Sequence, residues 1–369
     1  MIKTVNRIVA LGLSSPTSCF ANRMAMAGIK TFFIGLKEEG VQFNRSLKAF
    51  QKEDAFLDLS LFRTDEGIAA VKLFVQKVQA EAIFSADDWI LTQLGKSRAE
   101  FEPDCAVLAP DPFMLEQMWD KIHQTSLAAS SGFDVLPSYA LKTEADMASI
   151  PESAFPIVIR PSYINSAQPN FKARVLKNRE DLVRLFNSTH WTHPPMVQSF
   201  RLAPNYILHG VRALSGEILA LRLFKAYRKY RGFCSSMEPI PLPARLEASA
   251  RQFVEQANII GPFHFDLLAC EAEGKSYFLE VNIRLGGSTG KVVKLGFDEP
   301  SLMLAAFNAM PATPLPSLRA YSKFTSLGLN LTQAWNDLRN HRDPLAYPQL
   351  PRFHSILAAL SEIILVHKA

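Results

Sequence analysis

In the first hundred positions, short apolar runs alternate with stretches of helical spacing. RIVALGL at 7–13 is a continuous apolar run of strand length, TFFIG at 31–35 is a second, and 18–27 between them reads as a helix closed by Gly28. AIFS at 82–85 runs into Asp87 and Asp88 and then a helical stretch holding Trp89 and Leu91. CAVLA at 105–109 is a short strand stopped by Pro110 and Pro112. Strands alternating with helices predict a parallel sheet covered on both faces. Ligands of such sheets sit beyond the carboxyl ends of the strands. That places Ser14, Ser15, Asp87 and Asp88 at a candidate site, with helix capping an equal alternative for the aspartates. The turn after the first strand, GLSSP, carries no GxGxxG, which disfavours a Rossmann dinucleotide site.

From Asp111 the pattern changes. Residues 115–131 predict one helix, carrying Asp120 and Lys121 and ended by Gly132; Thr143 with Asp146 three positions on is a capping box. FPIVIRP at 155–161 is a buried strand ending in Arg160, and KARVL at 172–176 is another strand. Asn178 caps a helix whose Leu182, Val183, Leu185 and Phe186 share one face. MVQSF at 196–200, YILHGV at 206–211 and ILALRLF at 218–224 predict successive antiparallel strands, followed by a helix over 246–257. FHFDLLA at 263–269 and YFLEVN at 277–282 form a hairpin turning at 273–275. Beyond Pro311 the chain is punctuated by proline and then helical. Its apolar run at 356–366 is too short to span a bilayer, carries Glu362, and reads as a helix packing on the body. No internal repeat stands out.

Composition narrows the class. The 369 residues are 48% apolar and 20% charged, enough for a large core and against disorder. A net charge of +5 lacks the concentrated basic stripe of a nucleic-acid protein and suits an anionic small molecule. Cys19, Cys105, Cys234 and Cys270 are scattered with no zinc-like spacing, as reduced thiols in a cytoplasmic protein would be. Lys3 and Arg7 before the apolar run 8–13 faintly suggest a signal peptide, but the run is shorter than a usual h-region. The expectation is a cytoplasmic protein with small-molecule partners and neither nucleic acid nor membrane. A homodimer is compatible with the sequence, which carries no sign of it.

Chemistry concentrates in HFD at 264–266 and FLEVNIRLGGS at 278–288. On a strand, alternate positions share a face, so Glu280, Asn282 and Arg284 point one way while Val281 and Ile283 point into the core. Asp266 lies on the neighbouring strand of the hairpin. Two carboxylates and an amide oxygen form a hard oxygen cluster of the kind that holds Mg2+ together with substrate phosphates. Arg284 beside them can neutralise a transferring phosphoryl group. The alternative is a solvated hairpin, which fits the Gly-Gly-Ser turn and the upstream cations poorly.

The 278–288 segment resembles the final metal-binding motif, E-x-N-x-R, of the ATP-grasp superfamily. Asp120-Lys121, Ala128, Gly132 and Pro137 resemble the segment that opens that fold, 155–161 its second phosphate-binding strand, and 197–200 its adenine-contacting hinge. The match runs from about 80 to 310, and its texture is most similar to carboxylate-amine ligases and related carboligases. The resemblance implies an α/β composite. A parallel-sheet pre-ATP-grasp domain over 1–114 precedes an ATP-grasp domain with antiparallel sheets over 115–312, hinged near 196–201. A helical extension over 313–369 follows. It further implies that Glu280 bridges two Mg2+ ions, with Mn2+ an alternative metal, and that Asp266 and Asn282 complete the metal shells. Lys121 and Arg160 would contact the ATP phosphates, Gln198, Ser199 and Phe200 the nucleotide, and Arg284 the transferred phosphoryl group. Lys225, in the basic segment 222–231 between sheet and helix, would be a further phosphate or substrate cation, with a solvated basic face the equal alternative.

Two departures from the family pattern are visible. Arg160 stands where lysine is usual, a planar fork in place of a point charge. Residues 162–170, SYINSAQPN, contain no glycine where the family has a glycine-rich flap over the phosphates. No acidic residue after the hinge marks a ribose contact; Asn205 and His209 are the weak candidates. The implied reaction is phosphorylation of a carboxylate to an acyl phosphate, then displacement by an amine with release of ADP and phosphate. One alternative is a degenerate nucleotide-binding module, favoured by the departures and opposed by the intact Asp266, Glu280 and Asn282. Another is an ATP-dependent carboxylase using bicarbonate, although no lysine-rich biotin-acceptor segment is present.

Overall fold

The computed structural model describes residues 4–35, 55–56, 64–230, 233–311, 322–339 and 343–349. The helix expected over 356–366 lies outside them. Strands β1 (Arg7–Leu11), β2 (Lys30–Gly35), β3 (Ala55–Phe56), β4 (Ala82–Ser85) and β5 (Ala106–Val107) form one parallel sheet in the order β3-β2-β1-β4-β5. Its central strands are buried apolar runs, as parallel strands covered on both faces must be. The first helix, Ser15–Met26, begins earlier than its apolar spacing suggests, because Ser14 and Thr17 form a capping box ahead of it. Asp87 likewise caps Asp88–Lys96, its carboxylate accepting from the Ile90 N–H at 2.9 Å.

The helix expected over 115–131 is two helices, Pro112–Gln117 and Lys121–Ser130. The break has a local cause: Asp120 turns its carboxylate onto the Ile122 N–H, and the Lys121 N–H bonds the Ser162 carbonyl. Strands β6 (Asp134–Val135), β7 (Ser138–Ala140), β8 (Ile157–Arg160), β9 (Ala167–Gln168), β10 (Arg174–Leu176), β11 (His190–Trp191) and β12 (Met196–Ser199) follow. Four of them make an antiparallel sheet, β10-β8-β12-β7, with its own core of Leu141, Met147, Ile157, Ile159, Leu182 and Val197. β9 and β11 pair separately as a two-stranded ladder.

β13 (Asn205–Arg212), β14 (Ile218–Tyr230), β15 (Phe233–Ile240), β16 (Gly261–Cys270), β17 (Lys275–Asn282) and β18 (Phe324–Thr325) join β6 in a seven-stranded sheet, β18-β15-β14-β13-β16-β17-β6. The basic segment 222–231 therefore runs within β14 up to Tyr230 and not between sheet and helix. Helix Ala244–Gln256 buries Leu246, Ala250, Phe253 and Val254. Phe253, with Phe133, Phe265 and Phe278, builds an aromatic cluster with ring centroids 5.2 to 6.2 Å apart. These rings back the strands β16 and β17 from the side opposite their polar residues. The result is a mixed α/β fold with one parallel sheet and antiparallel sheets, in agreement with the sequence expectation.

Candidate active site

Asp266 on β16 and Glu280 on β17 are direct register partners. The ladder shifts register between Asp266 and Leu267, so β17 carries one extra residue there. Phe278 consequently faces the aromatic core while Leu279 and Glu280 both line a cavity of about 290 Å³ between the four-stranded and seven-stranded sheets. The cavity has an apolar part of Leu136, Val158, Ile207, Ala226, Leu268 and Leu279. Its charged end holds Arg160, Lys172, Asp266 and Glu280.

Arg160, the last residue of β8, is buried. It donates to the Leu279 carbonyl at 3.1 Å, approaches the Gln198 side-chain oxygen at 3.5 Å, and forms an ion pair with Glu280. Lys172 approaches the other Glu280 oxygen at 3.8 Å. Burial opposes ionisation of Glu280, but Arg160, then Lys172 and Lys121, outweigh it and hold the carboxyl well below the usual carboxylate range. Asp266 is the converse case: burial, and then the charge on Glu280, push it up to about 6. Burial lowers the Lys121 ammonium while Glu280 opposes that shift, which places Lys121 in the same electrostatic group.

Gln198 is buried and donates to the Ser138 hydroxyl at 3.0 Å; Ser199, Phe200 and Arg201 continue along the cavity wall. Asn282 ends β17 opposite His264. Arg284, just past it, does not reach Glu280; its guanidinium donates to Asp88 at 2.7 Å and to Asn282 Oδ1 at 3.5 Å. Asp88 thus presents the arginine, while its neighbour Asp87 is a helix cap, and Ser14 likewise caps its own helix. The following loop is tied down by a buried set: His209 bridges Glu299 at 2.8 Å and Ser288 at 3.0 Å, and Thr289 donates to Glu299 at 2.5 Å. His209 is therefore not at the cavity, and burial, then His209 and Arg284, push its stacked neighbour His264 well below the usual histidine value.

The structure does not bring Lys225 to this group. It pairs with Glu271 beside Tyr206, away from the cavity wall. Two register shifts between β14 and β15 separate it from Lys229, and past them Lys229 lines the cavity together with Ala226. Lys229 donates to Asn205 at 2.8 Å; burial pulls its ammonium down to about 8 against the charges of Asp266 and Asp343. Lys172 and Lys229 are the cations that sequence reasoning missed. Lys172 opens a stretch read only as a strand, and Lys229 lay inside the basic segment 222–231, but the bulges that bring it to the cavity are not written in residue type. The glycine-free segment 162–170 also has an unforeseen form: β9 pairs with β11, Ser166 is buried, and Tyr163 stacks on His193 at 4.3 Å.

Asp266, raised by burial and then by Glu280, gains most from a cation that would hold it ionised, and with the Asn282 amide this donor set fits a hard divalent ion. Among the described residues no group of three or more His, Cys, Asp or Glu gathers, so phosphate and water oxygens would complete any shell. No described helix is long and apolar enough to cross a membrane.

No family model matches this sequence, and no curated protein matches it. Solved structures do. The biotin carboxylase domain of the Hydrogenobacter thermophilus 2-oxoglutarate carboxylase is similar over 87% of this chain and 72% of its own, with TM-score 0.64 and 15% identity. The L-amino acid ligase from Bacillus licheniformis is similar over 83% and 75%, with TM-score 0.61 and 16% identity. N5-carboxyaminoimidazole synthetase from Staphylococcus aureus is similar over 92% and 87%, with TM-score 0.62 and 13% identity. Likenesses at this identity speak to the fold alone. This chain shares the fold of these structures, the mixed α/β fold expected from the sequence.

Proposed function

We propose that this protein is a Mg-ATP-dependent ligase that phosphorylates a substrate carboxylate and joins the acyl group to an amine, forming an amide or peptide-like bond. The observation that carries the reading is the Asp266–Glu280 register pair, ringed by Arg160, Lys172 and Lys121, at one end of a cavity with an apolar part. The apolar part, bounded by Gln198 to Arg201, suits a nucleotide base, and the cations suit its phosphates. Asp266, Glu280 and Asn282 would hold the divalent metal. Mg2+, when bound, supplies charge neutralisation to the transferring phosphoryl group.

The chain's own residues do the rest. Arg160, Lys172 and Lys121 bind and orient the phosphates in line with the attacking carboxylate. The substrate oxygen forms its bond to the terminal phosphorus as the bond to the ADP oxygen breaks. Arg284, set by Asp88, faces charge growing on the phosphoryl group and then on the acyl phosphate. The amine nitrogen attacks the acyl carbon and loses a proton, and the C–O bond to phosphate breaks.

A carboxylase reading uses the same site with bicarbonate as the carboxylate. It is favoured by the neighbours: the H. thermophilus structure holds MgADP, ADP and bicarbonate, and others are N5-carboxyaminoimidazole synthetases. Thermal stability with ATP plus Mg2+, with ATP plus EDTA, and for Glu280→Gln under both conditions tests the common core. A ligand at about a hundred times its dissociation constant adds roughly 2.7 kcal/mol. Stabilisation that needs Mg2+ and vanishes in the variant supports the site; no stabilisation by any nucleotide overturns it. ADP release stimulated by amino acids and not by bicarbonate then favours the ligase over the carboxylase.

A further inference from the structure

The nucleotide cavity has a wall that the E-x-N-x-R motif gives no hint of. Residues 343–349, which follow the helix Leu327–Leu338, pass along β14, and Lys229 and Tyr347 exchange both backbone hydrogen bonds, at 2.9 and 3.0 Å. The segment is also ordered within itself. The Leu345 N–H donates to the Asp343 carboxylate at 3.0 Å, and the Ala346 N–H to the Asp343 carbonyl at 3.1 Å. The Gln349 side-chain amide bonds the Asp343 and Ala346 carbonyls at 2.9 and 3.0 Å. Asp343 and Leu345 line the cavity alongside Asn205 and Lys229.

A carboxylate there has a restricted choice of partner. It is an acceptor only, so it repels phosphate and, besides the Leu345 N–H it already accepts, suits a ligand that offers donors. Arg160 and Lys172, the proposed phosphate cations, pair with Glu280, and Gln198 to Arg201, the proposed base walls, line the same cavity as Asp343. Between its phosphates and its base a nucleotide presents a pair of adjacent ribose hydroxyls, which match the two oxygens of one carboxylate. Lys229, held by Asn205, stands by to offset the negative charge.

We infer that residues 343–349 are a strap across the nucleotide site and that Asp343 binds the ribose hydroxyls of the nucleotide. This rests on the nucleotide reading of the cavity. It supplies from the carboxyl-terminal part of the chain the acidic ribose contact that no residue after the hinge provides.

The test is calorimetric binding of Mg-ADP, Mg-2′-deoxy-ADP, Mg-3′-deoxy-ADP and Mg-IDP to the full chain and to Asp343→Asn, whose apo melting temperature is measured alongside. The native chain should bind ADP about tenfold or more tightly than at least one deoxy analogue, the scale of a hydrogen bond to a charged group. Asp343→Asn should bind ADP about tenfold more weakly, bind the deoxy analogue as the native chain does, and keep its melting temperature. Leu345→Ala, which keeps the carboxylate, should retain the discrimination even if overall affinity falls. Unchanged discrimination in Asp343→Asn overturns the inference and leaves the nucleotide site standing. Loss of discrimination only between ADP and IDP also overturns it, since the carboxylate would then read the base. Failure of the native chain to bind any of the four overturns the nucleotide reading and the inference together.

Discussion

Arg284 and Asp88 meet at 2.7 Å across 196 residues of chain, joining the end of β17 to the helix that follows β4 of the parallel sheet. The pair fixes where the guanidinium stands relative to Asn282 and the carboxylates. Both partners are only partly exposed, so the geometry is held more firmly than in a surface ion pair.

Arg284→Lys keeps the charge and loses the planar fork. Its expected effect is a fall of about 10²- to 10³-fold in kcat, the scale of removing one transition-state donor, with little change in nucleotide KM. Asp88→Asn leaves the arginine in place but loosens it, and should lower kcat less, again with KM for nucleotide nearly unchanged. Steady-state ADP release separates the two. Equal losses in kcat and rising KM for both variants would mean that the pair serves only to hold the end of β17 against the helix after β4.

Asp266 gives a pH dependence of definite sign. Its carboxyl is raised from the ordinary 3.8 to about 6, so between those values the folded state holds a proton that the unfolded chain has lost. Stability from this group is therefore fully present below about pH 3.8 and falls as pH rises to about 6. Metal binding runs the other way because it requires the ionised form. The affinity for Mg-nucleotide should climb by about tenfold per pH unit below pH 6 and level above it. Asp266→Asn supplies the baseline for the nucleotide's own ionisation. Titration calorimetry from pH 5 to 8 that shows identical slopes in both proteins would assign the shift to another group.

Gly286 tests how tightly the loop after β17 is seated. A Cβ there would lie 2.2 Å from the His264 ring. Gly286→Ala should lower activity by displacing Arg284, two residues earlier, and cost about 1–3 kcal/mol of stability as overpacking does. His264 is the obstacle, and its Nδ1 has no hydrogen-bond partner. Adding His264→Ala should restore part of both losses, a coupling that a double-mutant cycle measures directly. Additive effects would place the conflict elsewhere.

Phe253→Ala removes a fully buried ring from the cluster behind β16 and β17. The expected loss is about 3–5 kcal/mol, read from denaturant unfolding. Saturating Mg-ATP should recover part of it, because the nucleotide binds only the folded state. A loss below 1 kcal/mol would show that the cluster repacks.

Much of this was legible in residue order. The apolar runs at 7–13, 31–35 and 82–85 announced buried parallel strands, and alternation in EVNIR placed Val281 and Ile283 in the core. Hydrogen bonds to side chains decided what periodicity did not. Asp120 split a helix that its apolar spacing joined, and capping by Ser14 lengthened the first one. Bulges were the larger gap. Nothing in the types of residues 225–229 tells that Lys229 reaches the cavity and Lys225 does not, because that depends on two local slips against β15. The Asp88–Arg284 contact was hidden for a different reason: it joins residues whose proximity is decided by how two sheets pack.

The β9–β11 ladder changes how the glycine-free segment 162–170 can move. A glycine-rich flap can flicker by itself, but residues 162–168 are stitched to 190–192 by strand pairing and by the Thr192 bond to the Ser166 carbonyl, with Tyr163 wedged between His193 and Trp119. Lifting them means lifting the plate to which they are fastened. Amides on both strands of the ladder should accordingly exchange their hydrogens in step.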